Sequence, residues 1–396
     1  MNVRIITLFL SALLFILIGN NFFHAVTENT IDGDSKDYHI PLAERIIDGT
    51  AMNLPLGLNT AMYYPGSSEA ILSLFILADI PLRLYNFFSW LLLIFVLFHF
   101  AKLVLKNSYH SYIFAITFAT VQSVQRHIFT QGIDIWMAIY FFVSVILLEN
   151  PKKSSRYFIF LGIILGMLLG SKSNGFLFLG ILMIVYFNNV KKYLSFKYTS
   201  LAVLCGLLSG GIWYVRNIIL YKNPLYPANI PFFKGADGFP LQDMMFWKTP
   251  FIYSDGLYKI AEAMISEYLF ISVTIIIFMC FIILVKMKKI IINSTMKRLI
   301  NLTFLMFIIS LLFPIPTTSI ISNMRYLYPL FILTYICTYY FLLKLKYDWI
   351  IVGFSLVNVA LIFSHIGYQP KLFILCGIFF VIIMFAFKNK FNLFKI

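Results

Sequence analysis

Long apolar runs separated by short polar segments dominate the pattern of the chain. A helix that crosses a membrane needs about 20 predominantly apolar residues, and this rule places twelve spans along the sequence. The predicted spans are 5–23, 83–105, 109–125, 130–148, 157–171, 175–189, 198–219, 264–285, 299–313, 326–344, 348–364 and 371–387. We therefore predict a single all-α integral membrane domain over residues 1–396, with about 12 transmembrane helices and both termini on one side.

Two of the predicted inter-span loops are long, and both are expected on the same side of the membrane. The first covers residues 24–82 and the second covers residues 220–263. The second is rich in Pro, Gly and aromatic residues, which is typical of an ordered irregular loop at the level of the lipid headgroups. Long loops in compact proteins are usually functional, so we expect the chemistry of the chain there.

The first long loop contains two short helix signals. In PLAERIIDG, Pro41 fits the first turn of a helix and Gly49 fits its stop. In SSEAILSLFILADIP, Ser67 or Ser68 fits the N-cap and Pro81 follows the helix end. The second helix is too short to cross a membrane, so we expect it to lie at the membrane interface.

Composition and charge support a polytopic membrane protein and predict its orientation. The chain is 61% hydrophobic and only 12% charged, with a mean hydropathy of +0.87, far outside the range of soluble domains. Nineteen of the 31 Lys and Arg residues fall in the loops of one side with only two of the 16 acids, so fourteen acids fall on the other side. By the positive-inside rule, the acid-rich side is extracytoplasmic.

The same observations exclude two other interpretations. The net charge of +15 follows from the topology, so it does not indicate nucleic-acid binding. All four cysteines lie in apolar runs, which is typical of small buried hydrophobic residues and not of disulfides or metal ligands. We expect membrane lipids, and no nucleic acid, among the partners.

An acidic cluster follows the first predicted span. The stretch IDGDSKDYHIP places Asp32, Asp34 and Asp37 within six positions, with Tyr38 and His39 beside them. Three roles fit this spacing. Asp34 or Asp37 caps the helix that follows, one carboxylate acts as a base on a hydroxyl, or two carboxylates hold a divalent cation at a phosphate. The spacing alone leaves these alternatives open.

Three basic residues lie at predicted extracytoplasmic ends of spans, on the side that the positive-inside rule disfavours. They are Lys172 in LLGSKSNGF, Arg216 in GGIWYVRNIILY and Arg325 in SNMRYLYP. Each by itself fits an interfacial anchor. Together with the acidic cluster they indicate a site for an anionic headgroup beside a base, because Arg suits bidentate phosphate binding and Lys a point-charge contact.

Other polar and aromatic residues have simpler interpretations beside a functional one. Asp134 lies near the extracytoplasmic end of the fourth span, and either pairs with Arg126 or His127 or belongs to a site. Glu69 fits a first-turn acid that the helix dipole favours. The aromatic residues near the same face fit an interfacial belt; they are Trp213, Tyr214, Tyr326 and Tyr328.

Several short motifs, in this order along the chain, resemble those of a known family. They are DGDSKDYHIP, YYPGSSEAILSLF, GMLLGSKSNGFLFL, WYVRNIILYKNPLYP and RYLYP. The chain resembles the C-type (GT-C) superfamily of polytopic membrane glycosyltransferases that use polyprenyl-phosphate sugars. The resemblance is to the bacterial branch close to protein mannosyltransferases and the lipid A aminoarabinose transferase. It covers most of residues 1 to 330, departs from the family where Gly66 and Ser67 replace a second Pro, and includes no soluble C-terminal domain.

The resemblance implies an activity, a location and a set of site residues. The activity is inverting transfer of a sugar from a polyprenyl-phosphate donor to an extracytoplasmic glycan, lipid or protein, at the inner (plasma) membrane of a bacterium. Asp34 best matches the catalytic aspartate of the family, and Asp37 and Asp32 are the second and third candidates. The resemblance assigns binding of the donor phosphate to Lys172, Arg216 and Arg325. The supporting candidates are Tyr38, His39, Glu69, His127, Asp134 and Asn217. Whether a divalent cation joins the three aspartates stays open.

Two other functions remain alternatives. An O-antigen polymerase or ligase has a similar number of spans, but relies on Arg and His of its outer loops without an acid cluster after span 1. A lipid-linked sugar flippase or transporter predicts charged residues near mid-span and broken helices. The glycosyltransferase hypothesis requires Asp34 to lie within about 10 Å of at least one of the three cations, because base and phosphate share the neighbourhood of one sugar ring.

Overall fold

The computed structural model describes residues 3–30, 32–229, 232–236, 267–287, 290–311, 324–347 and 349–353, with residues 258, 260, 261, 264, 355 and 358. The fold of this part is all-α, as predicted, and contains fourteen α-helices. The predicted span at 371–387, most of the span at 348–364 and most of the second long loop lie outside the described residues.

The helices follow the predicted apolar runs closely. They are α1 Val3–Thr27, α2 Ile40–Ile47, α3 Ser67–Leu77, α4 Leu84–Leu105, α5 Ser108–Ala119, α6 Gln122–His127, α7 Asp134–Glu149, α8 Ser155–Ser171, α9 Gly175–Val190, α10 Phe196–Gly206, α11 Ile212–Tyr221, α12 Leu269–Lys286, α13 Ser294–Ser310 and α14 Tyr328–Lys344. Two π-helical turns, Ser35–His39 and Leu207–Gly211, lie before α2 and between α10 and α11.

Five helical segments of the described part are long and apolar enough to cross a membrane. They are Thr7–Thr27, Leu84–Leu105, Gly175–Tyr193, Phe196–Tyr221 and Met324–Lys344. The segment that contains α14 is the innermost of these, since every residue from Tyr328 to Leu342 is buried. By contrast, α1 and α10 expose large apolar side chains such as Phe15 and Leu204, which is typical of a face that meets lipid or a partner.

One predicted span breaks into two helices. The apolar run 109–125 forms α5 and the short helix α6, because the backbone is extended at Val121. The carbonyl of Ala119 at the end of α5 accepts hydrogen bonds from the side chains of Trp90 (2.9 Å) and Gln125 (2.6 Å). These donors replace the helical N–H groups that a continuous helix would supply.

The two ends of the bundle are recognisable from their ion pairs. At one end, which we call the site end, Asp134 begins α7 and lies 3.3 Å from Lys172, which follows α8. At the opposite end, Glu149 closes α7 and accepts two hydrogen bonds from Arg298 of α13, at 2.9 and 2.6 Å. The side chain of Asn86 near the start of α4 bonds carbonyls of residues 127–132, so α4 also begins at the site end.

The first long loop packs over the site end through α2 and α3. The prediction for α2 is confirmed, since Pro41 lies in its first turn and Gly49 follows it with a φ of 71°. The cap predicted for α3 is wrong, because its N-cap is Gly66 and no side chain caps it. Ser67 instead donates to the carbonyl of Ser209 (2.7 Å) and Ser68 bonds Ser171 (2.8 Å), so these serines attach α3 to α8 and the second π-helical turn.

Close backbone contact joins α8 to α10 and the π-helical turn after it. Glycines repeat every fourth residue on both sides; they are Gly162, Gly166 and Gly170 of α8, and Gly206 and Gly210 opposite. A Cβ atom on Gly210 would lie 1.8 Å from the carbonyl oxygen of Gly166. Small residues of this kind let two helix backbones approach directly, and here they fix the position of the C-terminal end of α8.

We predict that Gly210→Ala lowers the melting temperature of the purified protein, because the added methyl group pushes the two backbones apart. Overpacking of this kind costs about 1–3 kcal/mol. Gly180→Ala in α9 is the matched control, since nothing lies within 4 Å of the Cβ added there. An equal response of the two variants in a thermal unfolding assay would contradict the close contact.

Candidate functional site

Five ionisable side chains from four parts of the chain meet at the site end. We call Asp34, His127, Asp134, Lys172 and Arg325 the charged cluster. Its centre is the Arg325 guanidinium, whose Nη2 donates to Asp34 Oδ2 at 2.6 Å and whose Nε lies 2.9 Å from Asp134 Oδ2. Its Nη1 lies 2.9 Å from Nε2 of His127. Lys172 Nζ completes the cluster at 3.3 Å from Asp134 Oδ1.

Each member of the cluster lies at the end of a helical element. Arg325 belongs to the 3-10 turn Met324–Leu327 just before α14. Asp134 is the first residue of α7, where the helix dipole favours a carboxylate. Lys172 has extended backbone dihedrals that end α8, and Asp34 precedes the first π-helical turn. Such π-turns occur frequently at functional sites.

The cluster is buried on one side and open on the other. Arg325 and Asp134 are only 6% and 4% exposed, whereas 49% of the Asp34 side chain is exposed. Asp34 Oδ1 accepts no hydrogen bond from the described residues, so this oxygen is free to meet a ligand. The arrangement is an accessible carboxylate supported by a buried guanidinium.

His127 is neutral and has one defined tautomer. A guanidinium only donates hydrogen bonds, so His127 Nε2 accepts from Arg325 and the proton lies on Nδ1, 2.7 Å from the Ser123 carbonyl. Burial, followed by the positive charge of Arg325, lowers the pKa of His127 from 6.5 to about 4. His127 therefore orients Arg325 without adding charge at neutral pH.

Three tyrosines, Tyr326, Tyr38 and Tyr64, lie in or near the cluster. Lys172 Nζ lies 3.4 Å from the centroid of the Tyr326 ring, a cation–π contact. Burial raises the pKa of Tyr38 and of Tyr64 above the ordinary value of 10, and the neighbouring Tyr326 raises both further. These two hydroxyls stay protonated, so they can donate hydrogen bonds to a bound anion.

The interpretation as an interfacial aromatic belt is wrong for two of the four residues, Tyr328 and Trp213. Tyr328 is fully buried, and its hydroxyl bonds Ser123 at 2.8 Å and His127 Nδ1 at 3.1 Å. Trp213 is 6% exposed and donates to Ser67 at 3.0 Å. The Ser123 hydroxyl also bonds Tyr268 at 2.7 Å. Sequence reasoning missed Ser123, Tyr268 and Tyr64 as site neighbours, although Tyr64 lies in the quoted YYPG motif.

The three first-loop aspartates have different surroundings. Asp32 Oδ2 accepts from the backbone N–H and the hydroxyl of Ser35 at 2.9 and 2.8 Å, so Asp32 stabilises the start of the π-helical turn. The cap predicted for Asp34 or Asp37 is wrong, because α2 has no side-chain cap. Asp37 is exposed and has no ion pair or hydrogen bond with a side chain of the described part.

These surroundings do not fit a divalent cation at the aspartates. Within the described residues, no three His, Cys, Asp or Glu side chains are grouped as metal ligands. Asp34 faces Arg325 and Asp32 faces Ser35. In this structure the carboxylates of Asp32, Asp34 and Asp37 do not converge on one point, and a divalent cation there stays a prediction.

A buried pair attaches the acidic segment to α3. His39 Nδ1 lies 2.8 Å from Glu69 Oε1, and the two side chains are 1% and 2% exposed. The Tyr38 ring lies 3.9 Å from the His39 ring. Glu69 is therefore more than a first-turn acid, since it fixes the π-helical turn that follows Asp34.

Arg216 does not join the charged cluster. Its guanidinium donates to the carbonyls of Ala51 (3.1 Å), Tyr63 (2.6 Å) and Tyr64 (3.3 Å) and to Asn217 Oδ1 (3.0 Å). Asn217 Nδ2 donates to the Tyr63 carbonyl as well, at 3.2 Å. We call these contacts the first-loop clamp. Phosphate binding by Arg216 stays a prediction, whereas the structure brings Lys172 and Arg325 together with Asp34.

Asp134 pairs with Lys172 and Arg325, not with Arg126. The Arg126 guanidinium instead lies 2.9 Å from Glu267.

A separate cavity of about 470 Å³ lies between the ends of α1, α3 and α4, and its lining includes Glu28, Glu44, Asp79 and Arg83 but no member of the charged cluster. The chemistry of the cluster therefore does not depend on this cavity.

Comparison of the chain with protein-family models, curated proteins and solved structures gives no match.

We predict that His127 makes the protein less stable as the pH falls from about 6.5 to about 4. In this window the unfolded chain binds a proton that the folded protein excludes, and the loss is on the order of 3 kcal/mol at most. Melting temperatures over this pH range should fall less steeply for His127→Gln than for the wild type. An unchanged slope in His127→Gln would contradict the neutral, buried state of His127.

The first-loop clamp predicts that Arg216→Lys destabilises the first loop. An ammonium group lacks the planar fork that reaches several carbonyls, and each lost charged hydrogen bond costs about 1.5–3 kcal/mol. We expect a lower melting temperature and faster limited proteolysis between residues 51 and 64. The exposed Lys222 serves as control in Lys222→Gln. Weaker prenyl-phosphate binding with unchanged stability would instead support a phosphate role for Arg216.

Proposed function

We propose that the chain is a multi-pass membrane glycosyltransferase with about 12 transmembrane helices. It transfers a sugar from a polyprenyl-phosphate donor to an extracytoplasmic glycan, lipid or protein, with inversion. One observation carries the proposal: the exposed Asp34 carboxylate lies 2.6 Å from the buried Arg325, in one cluster with Lys172.

The location of the cluster supports this proposal. The cluster lies at the ends of helices, on the side that the distribution of Lys and Arg assigns to the extracytoplasmic face. The pair of Glu149 and Arg298 lies at the opposite end of α7, where the inner loops are predicted. A polyprenyl-phosphate sugar keeps its tail in the bilayer and its sugar in the outer leaflet, so its phosphate lies at the level of such helix ends.

The geometry also supports phosphate binding beside a base. The requirement of about 10 Å between Asp34 and a predicted phosphate-binding cation is met, because Asp34 and Arg325 are 2.6 Å apart. Lys172 and Arg325 supply positive charge for the departing phosphate. Tyr38, which interacts electrostatically with Arg325 and Asp34, has a protonated hydroxyl that adds a neutral donor.

The proposed step breaks one bond and forms one. The acceptor hydroxyl attacks the anomeric carbon from the face opposite the phosphate, and the bond between that carbon and the phosphate oxygen breaks. Asp34 Oδ1 takes the hydroxyl proton and later releases it to solvent. The products are the glycosylated acceptor, with inverted configuration, and polyprenyl phosphate.

The two alternatives receive less support. The ligase alternative gives no role to an acid after span 1, yet Asp34 contacts the central cation of the cluster. The flippase alternative predicts charges near mid-span, whereas the cluster residues lie at helix ends. Transport of a labelled lipid in proteoliposomes without a glycan product would favour the flippase.

The substrate can be identified by comparing glycolipids and glycans, by mass, from cells with and without the gene. A missing mass equal to one sugar would identify that sugar, and the species that loses it would identify the acceptor. Unchanged glycans and glycolipids under conditions where the gene is expressed would contradict the proposal.

We predict that Asp34→Asn lowers kcat by about 10²–10⁴, the usual contribution of a general base, with little change in the KM of the donor. The measurement is transfer of labelled sugar by the purified protein. Asp48→Asn, which removes an exposed carboxylate elsewhere in the same loop, should keep wild-type activity. Asp32→Asn and Asp37→Asn test the other two candidates, and full activity of Asp34→Asn would overturn the assignment of the base.

A further inference from the structure

Asp134 is the shared counterion of the two cations in the cluster. Its Oδ1 lies 3.3 Å from Lys172 Nζ and its Oδ2 lies 2.9 Å from Arg325 Nε. The residue is 4% exposed and begins α7. Because two cations and a helix N-terminus surround it, the carboxylate is ionised whether or not a ligand is bound.

The cluster consequently has no surplus positive charge. Lys172 and Arg325 contribute two positive charges, Asp34 and Asp134 contribute two negative charges, and His127 is neutral. A site built only to hold phosphate tightly would leave its cations uncompensated. Asp134 therefore reduces the affinity of the cluster for any anion, and the reduction grows with the charge of that anion.

Donor and product of the proposed reaction differ in that charge. A polyprenyl-phosphate sugar is a phosphodiester with one negative charge. The released polyprenyl phosphate is a monoester whose second pKa is about 6, so it approaches two negative charges at pH 7 and above. The buried Asp134 carboxylate beside the phosphate-binding cations repels the product more strongly than the donor.

We propose that Asp134 is a positioning residue that makes the site selective for a singly charged phosphodiester and promotes release of the doubly charged monoester. The proposal rests on the proposed function and adds a role that the base and the two cations do not supply. Asp134 holds both cations in place while it prevents them from retaining the product.

The test measures the binding of two probes to the purified full-length protein at pH 8. The probes are decaprenyl monophosphate and its methyl diester, which share the lipid and differ by one charge. The measured quantity is the ratio of monoester affinity to diester affinity. We expect Asp134→Asn to raise this ratio about tenfold or more, because one buried repulsive charge is removed. Asp134→Glu, which keeps the charge, should keep the wild-type ratio of the two affinities.

Asp48→Asn is the matched control for overall charge, since Asp48 is exposed and outside the cluster. Equal shifts of the affinity ratio in Asp134→Asn and Asp48→Asn would overturn the proposal. Melting temperatures of all variants are measured first, because removing a buried counterion leaves two cations uncompensated.

A second measurement uses only the wild type and does not depend on the folding of a variant. At pH 5.5 the monoester carries close to one charge, so its affinity relative to the diester should rise about tenfold over that at pH 8. The groups that face Asp134 are Lys172, Arg325, His127, Tyr38 and Tyr328. Measuring the diester at both pH values corrects for their titration. A ratio that does not change with pH would overturn the proposal.

The outcomes separate this inference from the proposed function. Saturable binding of both probes without charge selectivity would contradict the role of Asp134 and leave the glycosyltransferase proposal intact. Absence of saturable binding of either probe to the wild type would contradict the proposed function itself.

Discussion

The buried guanidinium of Arg325 determines where several distant segments of the chain must lie. A charge removed from water is tolerated only when opposite charges and hydrogen-bond acceptors surround it. Here they come from Asp134, at 2.9 Å, and from Asp34, which is 291 positions away in the sequence. Three parts of the chain therefore converge on one side chain: the start of α14, the start of α7 and the first long loop. Asp34, which comes from that loop, forms the exposed side of the site.

Local signals predicted the elements of the fold well, because a helix start or stop depends on a few neighbouring residues. Pro41 and Gly49 bound α2 for that reason, and the apolar runs indicate most of the longer helices. The signals failed where a tertiary partner competes for the same group. Ser67 resembles a cap in the sequence, but its hydroxyl reaches the carbonyl of Ser209, 142 residues away. No local pattern contains that acceptor.

The composition of the site was partly predictable, but its pairings were not. The position of Lys172 and Arg325 at helix ends, on the side poor in basic residues, singled them out. The same criterion selected Arg216, because a sequence shows the charge of an arginine and not whether its partner is a carbonyl or an anion. His127 illustrates the same limit, since its neutral state depends on its burial and on the contact with Arg325.

The first-loop clamp binds the backbone of the first loop and none of its side chains. Arg216 and Asn217 contact the carbonyl oxygens of Ala51, Tyr63 and Tyr64, and every residue type offers such an oxygen. The side chains at these positions can therefore change during evolution without removing an acceptor. The contact that holds this loop against α11 therefore depends on the identity of Arg216 and Asn217, and not on the side chains of the three residues whose carbonyls they bind.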